Sequence, residues 1–195
     1  MAQARQNTRD RLIASTIRLV CESGVGAATT RAIAREAGVT EGAIYRHYRS
    51  KEELSWHAYK RIVEEMIHDK QTLASSDSSI PRKLREWIRL TYAYFDDHPQ
   101  AFTYVLLMPP PPAESDWQIT TQQGRLFTEL MEQARAAGQI RDIASELATS
   151  HFTGVMLNVP RLINEGTLEG PASRYIDDVA DSVWRMLRPE TGDNG

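Results

Sequence analysis

The chain of 195 residues contains a single cysteine, Cys21, so no disulfide can form within it. No apolar run approaches the length of a membrane span. The stretch from Leu12 to Val20 is interrupted by Arg18 and lacks the small-residue cleavage site of a signal peptide. We therefore expect a cytoplasmic protein that has no contact with a membrane.

Catalytic and metal-binding patterns are also missing from the sequence. The five histidines are scattered, without the spacing that metal ligands show. Neither a phosphate-binding glycine loop nor a Gly-x-Ser-x-Gly nucleophile elbow occurs. We therefore expect a protein that is not an enzyme and that needs neither a metal nor another cofactor.

The alternation of apolar and polar residues that is typical of strands is not sustained anywhere, whereas helical periodicity runs through nearly the whole chain. Caps, glycines and prolines divide this pattern into nine helices, three short ones and then six longer ones. The predicted helices lie at about 8–23, 30–37, 40–48, 50–73, 81–98, 99–108, 119–137, 143–164 and 172–188. On the first of them, Ile13, Ile17, Val20 and Cys21 are predicted to form the apolar face.

Charge is distributed unevenly along the chain. Residues 1–61 contain eleven Lys or Arg and six Asp or Glu, whereas the remaining residues contain twelve and twenty. A basic head on an acidic body indicates that the head alone meets a polyanion such as nucleic acid. Charge by itself leaves chance clustering open as the alternative.

The second and third predicted helices form a helix-turn-helix pattern. Ala34 and Ala37 are small enough for the two helices to cross closely, and Gly38 can adopt the positive φ of the turn. Val39 and Ile44 are expected to fill the space between the helices. The third helix is then free to present its other face to the major groove of DNA. The alternative is a three-helix cap whose basic face is merely solvated.

That outer face contains the residues that we expect to contact double-stranded DNA. The small Gly42 and Ala43 let the backbone approach base edges, Glu41 can accept from a cytosine amino group, and Arg46 can bind guanine or phosphate. Residues near helix starts, or just past the third helix, are expected to hold phosphates. The full predicted set is Thr29, Thr30, Arg31, Thr40, Glu41, Gly42, Ala43, Tyr45, Arg46, His47, Tyr48 and Lys51.

From Leu12 to Leu54 the sequence closely resembles the TetR family of bacterial regulators. The matching residues are Thr29-Thr30, Ile33-Ala34, Ala37-Gly38-Val39-Thr40, Gly42, Ile44-Tyr45, His47-Tyr48 and Lys51-Glu52-Glu53-Leu54. Tyr48 stands where the family usually has Phe, which leaves its core role intact. The resemblance implies an all-α protein: a three-helix DNA-binding domain at 1–51 and a six-helix ligand-binding and dimerisation domain at 52–195. It also implies a homodimer on a palindromic operator.

Aromatic residues are concentrated in the second predicted domain. An apolar cavity with a few polar groups is what a small-molecule effector needs, although ordinary core is the alternative for each aromatic residue. His151 and Asn158 share one helix face and could orient a polar ligand group, or lie at a wet edge or dimer seam. The predicted ligand-binding set is Tyr59, Trp87, Tyr92, Phe95, Phe102, Tyr104, Phe127, His151 and Phe152, with Trp117 a further candidate.

The last two helices are predicted to form the dimer interface, because a pair from each subunit can build a four-helix bundle. The alternative is that their apolar faces are buried within their own domain. The predicted interface residues are Gly154, Val155, Val179, Val183 and Leu187.

We therefore interpret the chain as a sequence-specific DNA-binding regulator. The resemblance favours a repressor that an apolar or aromatic small molecule releases from its operator. An activator or a ligand-independent DNA-binding protein of the same fold is the alternative. A small-molecule-binding enzyme with a vestigial DNA-binding head is the rival from another class.

Overall fold

The computed structural model describes residues 2–108 and 119–189, with side chains described for 7–108 and 124–189. The described residues form nine α-helices and one 3₁₀ turn, and none of them lies in a strand, so the all-α prediction is confirmed. The helices are α1 Ala2–Ser23, α2 Thr30–Ala37, α3 Glu41–Tyr45, α4 Lys51–Ala74, α5 Ile80–Asp97, α6 Pro99–Leu107, α7 Ile119–Ala136, α8 Ser145–Asn164 and α9 Ile176–Leu187. The 3₁₀ turn, Ala172–Tyr175, directly precedes α9. The extended linker predicted at Pro109 to Pro112, and Trp117, lie outside the described residues.

The described residues form two compact units. The first contains α1, α2, α3, α4 as far as Glu65, and α6. Within it α1 packs against both α2 and α6, and α2 packs against α3. The core of this unit takes Leu12, Thr16 and Val20 from α1, and the Thr16 hydroxyl donates to the Leu12 carbonyl at 2.8 Å.

The predicted apolar face of α1 is wrong in part. Val20 is buried, but Ile13, Ile17 and Cys21 are only half-buried. The buried face is turned by one position toward Leu12 and Thr16, because α1 packs on two neighbours rather than one.

The second unit contains α4 from Met66, α5, most of α7, α8, the 3₁₀ turn and α9. Within it α5 and α8 both pack against α9. The Asp96 carboxylate of α5 accepts from the backbone N–H groups of Ala172 and Ser173 at 2.7 and 3.0 Å. These bonds satisfy N–H groups at the start of the 3₁₀ turn and so position α9 in this unit.

The compact units divide the chain differently from the predicted boundary between residues 51 and 52. The first part of α4 and the whole of α6 belong to the unit that contains α1 to α3. The boundary remains a prediction as a division of function between DNA binding and ligand binding.

Candidate functional site

The start of α2 is fixed by a local hydrogen bond. Thr29 has an extended backbone, and its hydroxyl oxygen accepts from the Ala32 N–H at 3.1 Å. This bond satisfies one of the N–H groups that every helix leaves free at its start. Thr29 is therefore the N-cap of α2.

The end of α2 turns sharply at Gly38, which has a left-handed backbone with φ of 63°. The N–H groups of Gly38 and Val39 donate to the carbonyls of Arg35 and Ala34 at 3.2 and 2.9 Å. This arrangement ends the helix by satisfying its last carbonyl groups, and glycine adopts the required φ without strain. The turn predicted from the sequence is therefore present.

The third helix is short, and its two faces differ clearly. Ile44 is fully buried and Tyr48, just past the helix end, is 4 % exposed, whereas Tyr45 is 57 % exposed. Thr40 stands at the N-cap position of this helix, but its side chain makes no capping hydrogen bond there. The start of α3 is instead linked to α2, because the Thr30 hydroxyl donates to a Glu41 carboxylate oxygen at 3.4 Å.

The exposure of the predicted DNA-contacting residues follows these two faces. Seven are exposed: Thr29, Arg31, Thr40, Glu41, Gly42, Tyr45 and Arg46. Four are half-buried: Thr30, Ala43, His47 and Lys51. Tyr48 is buried and its ring centroid lies 5.3 Å from that of His57 on α4, so it acts first as a core residue. Its contact with phosphate, like the other contacts, stays a prediction.

The start of α4 is capped by Ser50. The Ser50 hydroxyl oxygen accepts from the Glu53 N–H at 3.1 Å. The Glu53 carboxylate reaches back to the Arg49 N–H, one residue earlier than in the usual reciprocal box. Lys51 therefore lies in the first turn of a capped helix, a few residues after the end of α3.

The predicted ligand-binding residues are divided between the two compact units. Three of them, Tyr59, Phe102 and Tyr104, belong to the first unit. Phe102 and Tyr104 are buried, and the Tyr104 hydroxyl donates to the Ser55 carbonyl at 2.8 Å. Burial raises the pKa of both Tyr59 and Tyr104. In this structure Tyr104 has a structural role, which is to join α6 to α4 inside the first unit.

The other six predicted ligand-binding residues belong to the second unit, and three form a tight aromatic cluster. The rings of Phe127 and Phe152 are stacked with centroids 4.0 Å apart. Trp87 meets them edge-on, at 5.0 Å from Phe127 and 6.4 Å from Phe152. The cluster thus joins α5, α7 and α8 and forms the aromatic core of this unit.

The remaining three of these six residues differ in how deeply they are buried. Tyr92 and Phe95 are buried, and the Tyr92 hydroxyl donates to the Met156 carbonyl at 3.0 Å. His151 is half-buried, and its Nδ1 atom is buried with no hydrogen-bond partner among the described residues. The ligand-orienting role of His151 stays a prediction.

Sequence reasoning missed Lys70, the most unusual side chain of the second unit. It is 1 % exposed, and its ammonium nitrogen has no hydrogen-bond partner among the residues that the structure describes. The nitrogen lies 5.6 Å from the ring centroid of Trp87. A signal was available, because Val63, Ile67 and Lys70 are spaced i, i+4, i+7 along the buried face of α4.

Three of the predicted dimer-interface residues, all on α9, are buried within their own unit. Val179 is 6 % exposed, and Val183 and Leu187 are fully buried, in a helix that packs against α5 and α8 of its own unit. These three side chains present no surface to a second subunit. Gly154 is exposed and Val155 half-buried on α8, where Leu147 is also 48 % exposed, so this helix remains the candidate.

Two kinds of feature are absent from the part of the chain that the structure describes. Within it, no group of three His, Cys, Asp or Glu residues is placed to hold a metal ion. None of its helices combines the length and the apolar character needed to cross a membrane.

Comparisons with known proteins agree with the geometry of the first unit. Residues 12–55 match the sequence pattern of the family described as bacterial regulatory proteins, tetR family. A segment is 30 % identical over 92 residues to YerO of Bacillus subtilis, described as an HTH-type transcriptional regulator. That match covers 46 % of this chain and only 32 % of the length of the relative.

Solved structures show the same fold over nearly the whole chain. A TetR family regulator from Marinobacter aquaeolei VT8 superposes with a TM-score of 0.77 at 19 % identity, covering 96 % of this chain and 99 % of its own. A Bacillus subtilis regulator, FadR, solved with stearoyl-CoA, gives 0.75 at 14 % identity over 89 % and 96 %. A ketosteroid transcriptional regulator of Mycobacterium tuberculosis gives 0.74 at 18 % identity over 93 % and 95 %. The family resemblance seen in the sequence is confirmed.

Proposed function

We propose that this protein is a transcriptional repressor which a small apolar or aromatic molecule releases from its operator. The proposal begins from residues 12–55, which match the sequence pattern of the tetR family of regulators. The observation that carries the proposal is the division of α3 into a buried and an exposed face. Ile44 is fully buried while Tyr45, the next residue, is 57 % exposed. A helix held in this way can enter the major groove without unfolding its own domain.

The exposed face has the chemistry that base recognition needs. Gly42 and Ala43 have little or no side chain, so the helix backbone can come close to base edges. The Glu41 carboxylate accepts from cytosine, and the Arg46 guanidinium binds guanine or phosphate. Arg31 and Lys51, on α2 and α4, supply the contacts to the sugar-phosphate backbone that set the orientation.

The repressor acts as a homodimer in this proposal. A recognition helix of five residues reads too few base pairs to select a site alone. Two copies related by a twofold axis read a palindrome whose half-sites lie about one helical turn, or a multiple of it, apart. The exposed side of α8 around Gly154 is the surface that we assign to the partner subunit.

The effector binds the second unit, whose aromatic core around Trp87 favours an apolar ligand. A regulator of the same fold was solved with stearoyl-CoA, which supports an apolar effector class. Helix α4 offers a connection, since it runs without interruption from Lys51, beside the recognition segment, to Ala74. A hundredfold loss of operator affinity requires about 2.7 kcal/mol of coupling between the two sites.

The test begins with selection of binding sites from random duplex DNA, followed by footprinting of the enriched sequence. We expect a protected palindrome, and the absence of any sequence-specific footprint would overturn the proposal. A reporter gene placed behind that palindrome then separates repression from activation. An activator would raise expression, and a ligand-independent regulator would show no response to any compound.

Effector binding is followed through the fluorescence of the four tryptophans. Apolar compounds are titrated into the free protein and into the operator complex. By reciprocity an inducer must bind the complex more weakly, by the same factor by which it weakens operator binding. A compound that binds both states equally tightly is not an inducer.

A further inference from the structure

Lys70 is the one strongly basic group in the aromatic core of the second unit that the structure leaves without a partner among its described residues. Buried ammonium groups are ordinarily paired, because the interior cannot replace the water that they lose. The face of Trp87, at 5.6 Å, compensates in part through a cation–π contact. None of the three hydrogen-bond donors of the ammonium finds an acceptor among the described residues.

Lys83 shows how the same unit treats a buried lysine that has only a structural role. It is 7 % exposed, and its ammonium donates to the Ala74 carbonyl at 2.7 Å, at the end of α4. That contact ties α5 to the last turn of α4 and satisfies a free carbonyl of the helix. Lys70 has the same side chain and deeper burial but no such acceptor.

The aromatic side chains near Lys70 restrict the kind of molecule that can bind there. Trp87 belongs to a cluster with Phe127 and Phe152, three buried side chains whose ring faces are apolar. A neutral apolar molecule could use the rings but would leave the ammonium unpaired. A small inorganic anion could pair with the ammonium but would gain nothing from the rings.

We propose that Lys70 is the recognition residue for an acidic effector, a molecule with an apolar or aromatic body and one carboxylate, which binds among Trp87, Phe127 and Phe152. The carboxylate accepts hydrogen bonds from the Lys70 ammonium, and the body packs against the rings. This inference rests on the proposed effector role of the second unit and adds the chemical class of the effector. Carboxylate–ammonium pairing in a site without water is strong and selective.

Proton uptake gives this site a signature that a purely apolar pocket lacks. Burial lowers the pKa of Lys70 to about 7, so the neutral amine and the ammonium coexist near neutral pH. A bound carboxylate favours the ammonium and draws a proton onto it. Uptake per bound acid should therefore be small at about pH 6 and approach one at about pH 8.

The experiment uses the full chain and matched pairs of probes, 4-phenylbutyrate with 4-phenylbutyramide and decanoate with decanamide, with acetate as an acid that has no apolar body. Affinity is measured by tryptophan fluorescence, and proton uptake by calorimetry in buffers of different ionisation enthalpy. We expect at least one acid to bind tenfold or more tightly than its amide, and acetate to bind far more weakly.

Two variants assign that preference to the residue. In Lys70→Met and Lys70→Gln the acid and its amide should bind equally and proton uptake should vanish. In the matched control Lys83→Met, both the preference and the uptake should persist. Either a preference that survives in Lys70→Met, or failure of every acid to bind at millimolar concentration, overturns the proposal.

The experiment tests the acid site at Lys70 separately from the proposed repressor function. If an acid binds through Lys70 but leaves operator binding unchanged, the site stands and the switch fails. If neutral compounds release the operator while acids do not bind, the switch stands and the assignment of Lys70 fails.

Discussion

Arg11 of α1 donates from Nη2 to the carbonyl oxygen of Gly38 at 3.2 Å, and also to the carbonyl of Ala37. These are carbonyl groups at the end of α2, where the helix dipole favours a positive charge. The contact attaches the turn of the helix-turn-helix to a separate helix of the same unit. The angle between α2 and α3 therefore depends on α1 as well as on the turn itself.

Gly38→Ala should destabilise the first unit. Gly38 has a φ of 63°, and an added Cβ would lie 2.8 Å from the Arg11 Nη2 atom. The left-handed backbone costs a non-glycine residue about 1–2 kcal/mol, which urea denaturation can measure. The double variant with Arg11→Ala should lose less unfolding free energy than the sum of the losses in the two single variants. The reason is that the close contact between the added Cβ and Arg11 Nη2 is then absent. Gly26→Ala is the control, since a Cβ there meets nothing and φ is not left-handed.

Tyr45→Ala should weaken operator binding without lowering thermal stability, because the side chain is 57 % exposed. The neighbouring change Ile44→Ala is the matched control for a structural effect. Ile44 is fully buried, and truncating such a residue costs about 2–5 kcal/mol of folding free energy. Mobility-shift titration and thermal denaturation of both variants decide the matter. Wild-type affinity in Tyr45→Ala would remove this residue from the interface.

Lys51→Ala should weaken binding to every DNA sequence alike, since we expect this residue to contact phosphate. The slope of log affinity against log salt should fall by about 0.9 for one lost phosphate contact. Lys60→Ala, further along α4, serves as the control and should keep the wild-type slope. A change that is specific to one base pair would instead assign Lys51 to base recognition.

Gly154→Glu should convert the dimer into monomers that remain folded. In the single chain a Cβ at Gly154 meets nothing within 4 Å, so the fold itself can accept a side chain there. A charge buried against a partner subunit without an opposite charge would be strongly unfavourable. Light scattering gives the mass of the particle in solution. The control is Ala136→Glu, at an exposed position of α7. A Gly154→Glu variant that stays dimeric would place the interface elsewhere.

Lys70→Met should stabilise the protein without ligand, whereas Lys83→Met should destabilise it. The first change removes an unpaired buried charge, which can raise the free energy of unfolding by about 1–4 kcal/mol. The second leaves the Ala74 carbonyl without its donor, at a cost of about 1–3 kcal/mol. Destabilisation by Lys70→Met, or a gain of stability in Lys83→Met, would contradict the assignment of Lys70 as the unpaired one.

The stabilisation in Lys70→Met should also depend on pH. Burial lowers the pKa of Lys70 in the folded protein to about 7 from its ordinary value of 10.5, so the unfolded chain binds more protons between these two pH values. Wild-type stability relative to Lys70→Met therefore rises with pH from about 7 toward 10. Below pH 7 the penalty is complete and constant. Denaturation curves of both proteins across this range measure the difference directly.

The helix-turn-helix could be predicted from the sequence because its determinants are local. Thr29 accepts from an N–H three residues away, Gly38 turns the chain by its own φ, and Ser50 caps α4 from the preceding residue. The exposed position of Tyr45 also follows, since it is adjacent in sequence to the buried Ile44 on a helix. Thr40 is the local exception, because position alone does not guarantee a side-chain bond.

The sequence by itself thus determined the all-helical fold, the family resemblance and the exposed face of α3, because caps, turns and periodicity act over a few residues. Only the tertiary structure decided that Val183 faces its own unit, because an apolar helix face does not specify which surface will cover it. It also decided the state of Lys70. Periodicity places that residue on the buried side of α4. Whether its ammonium finds a hydrogen-bond acceptor there depends on helices that are distant in the sequence.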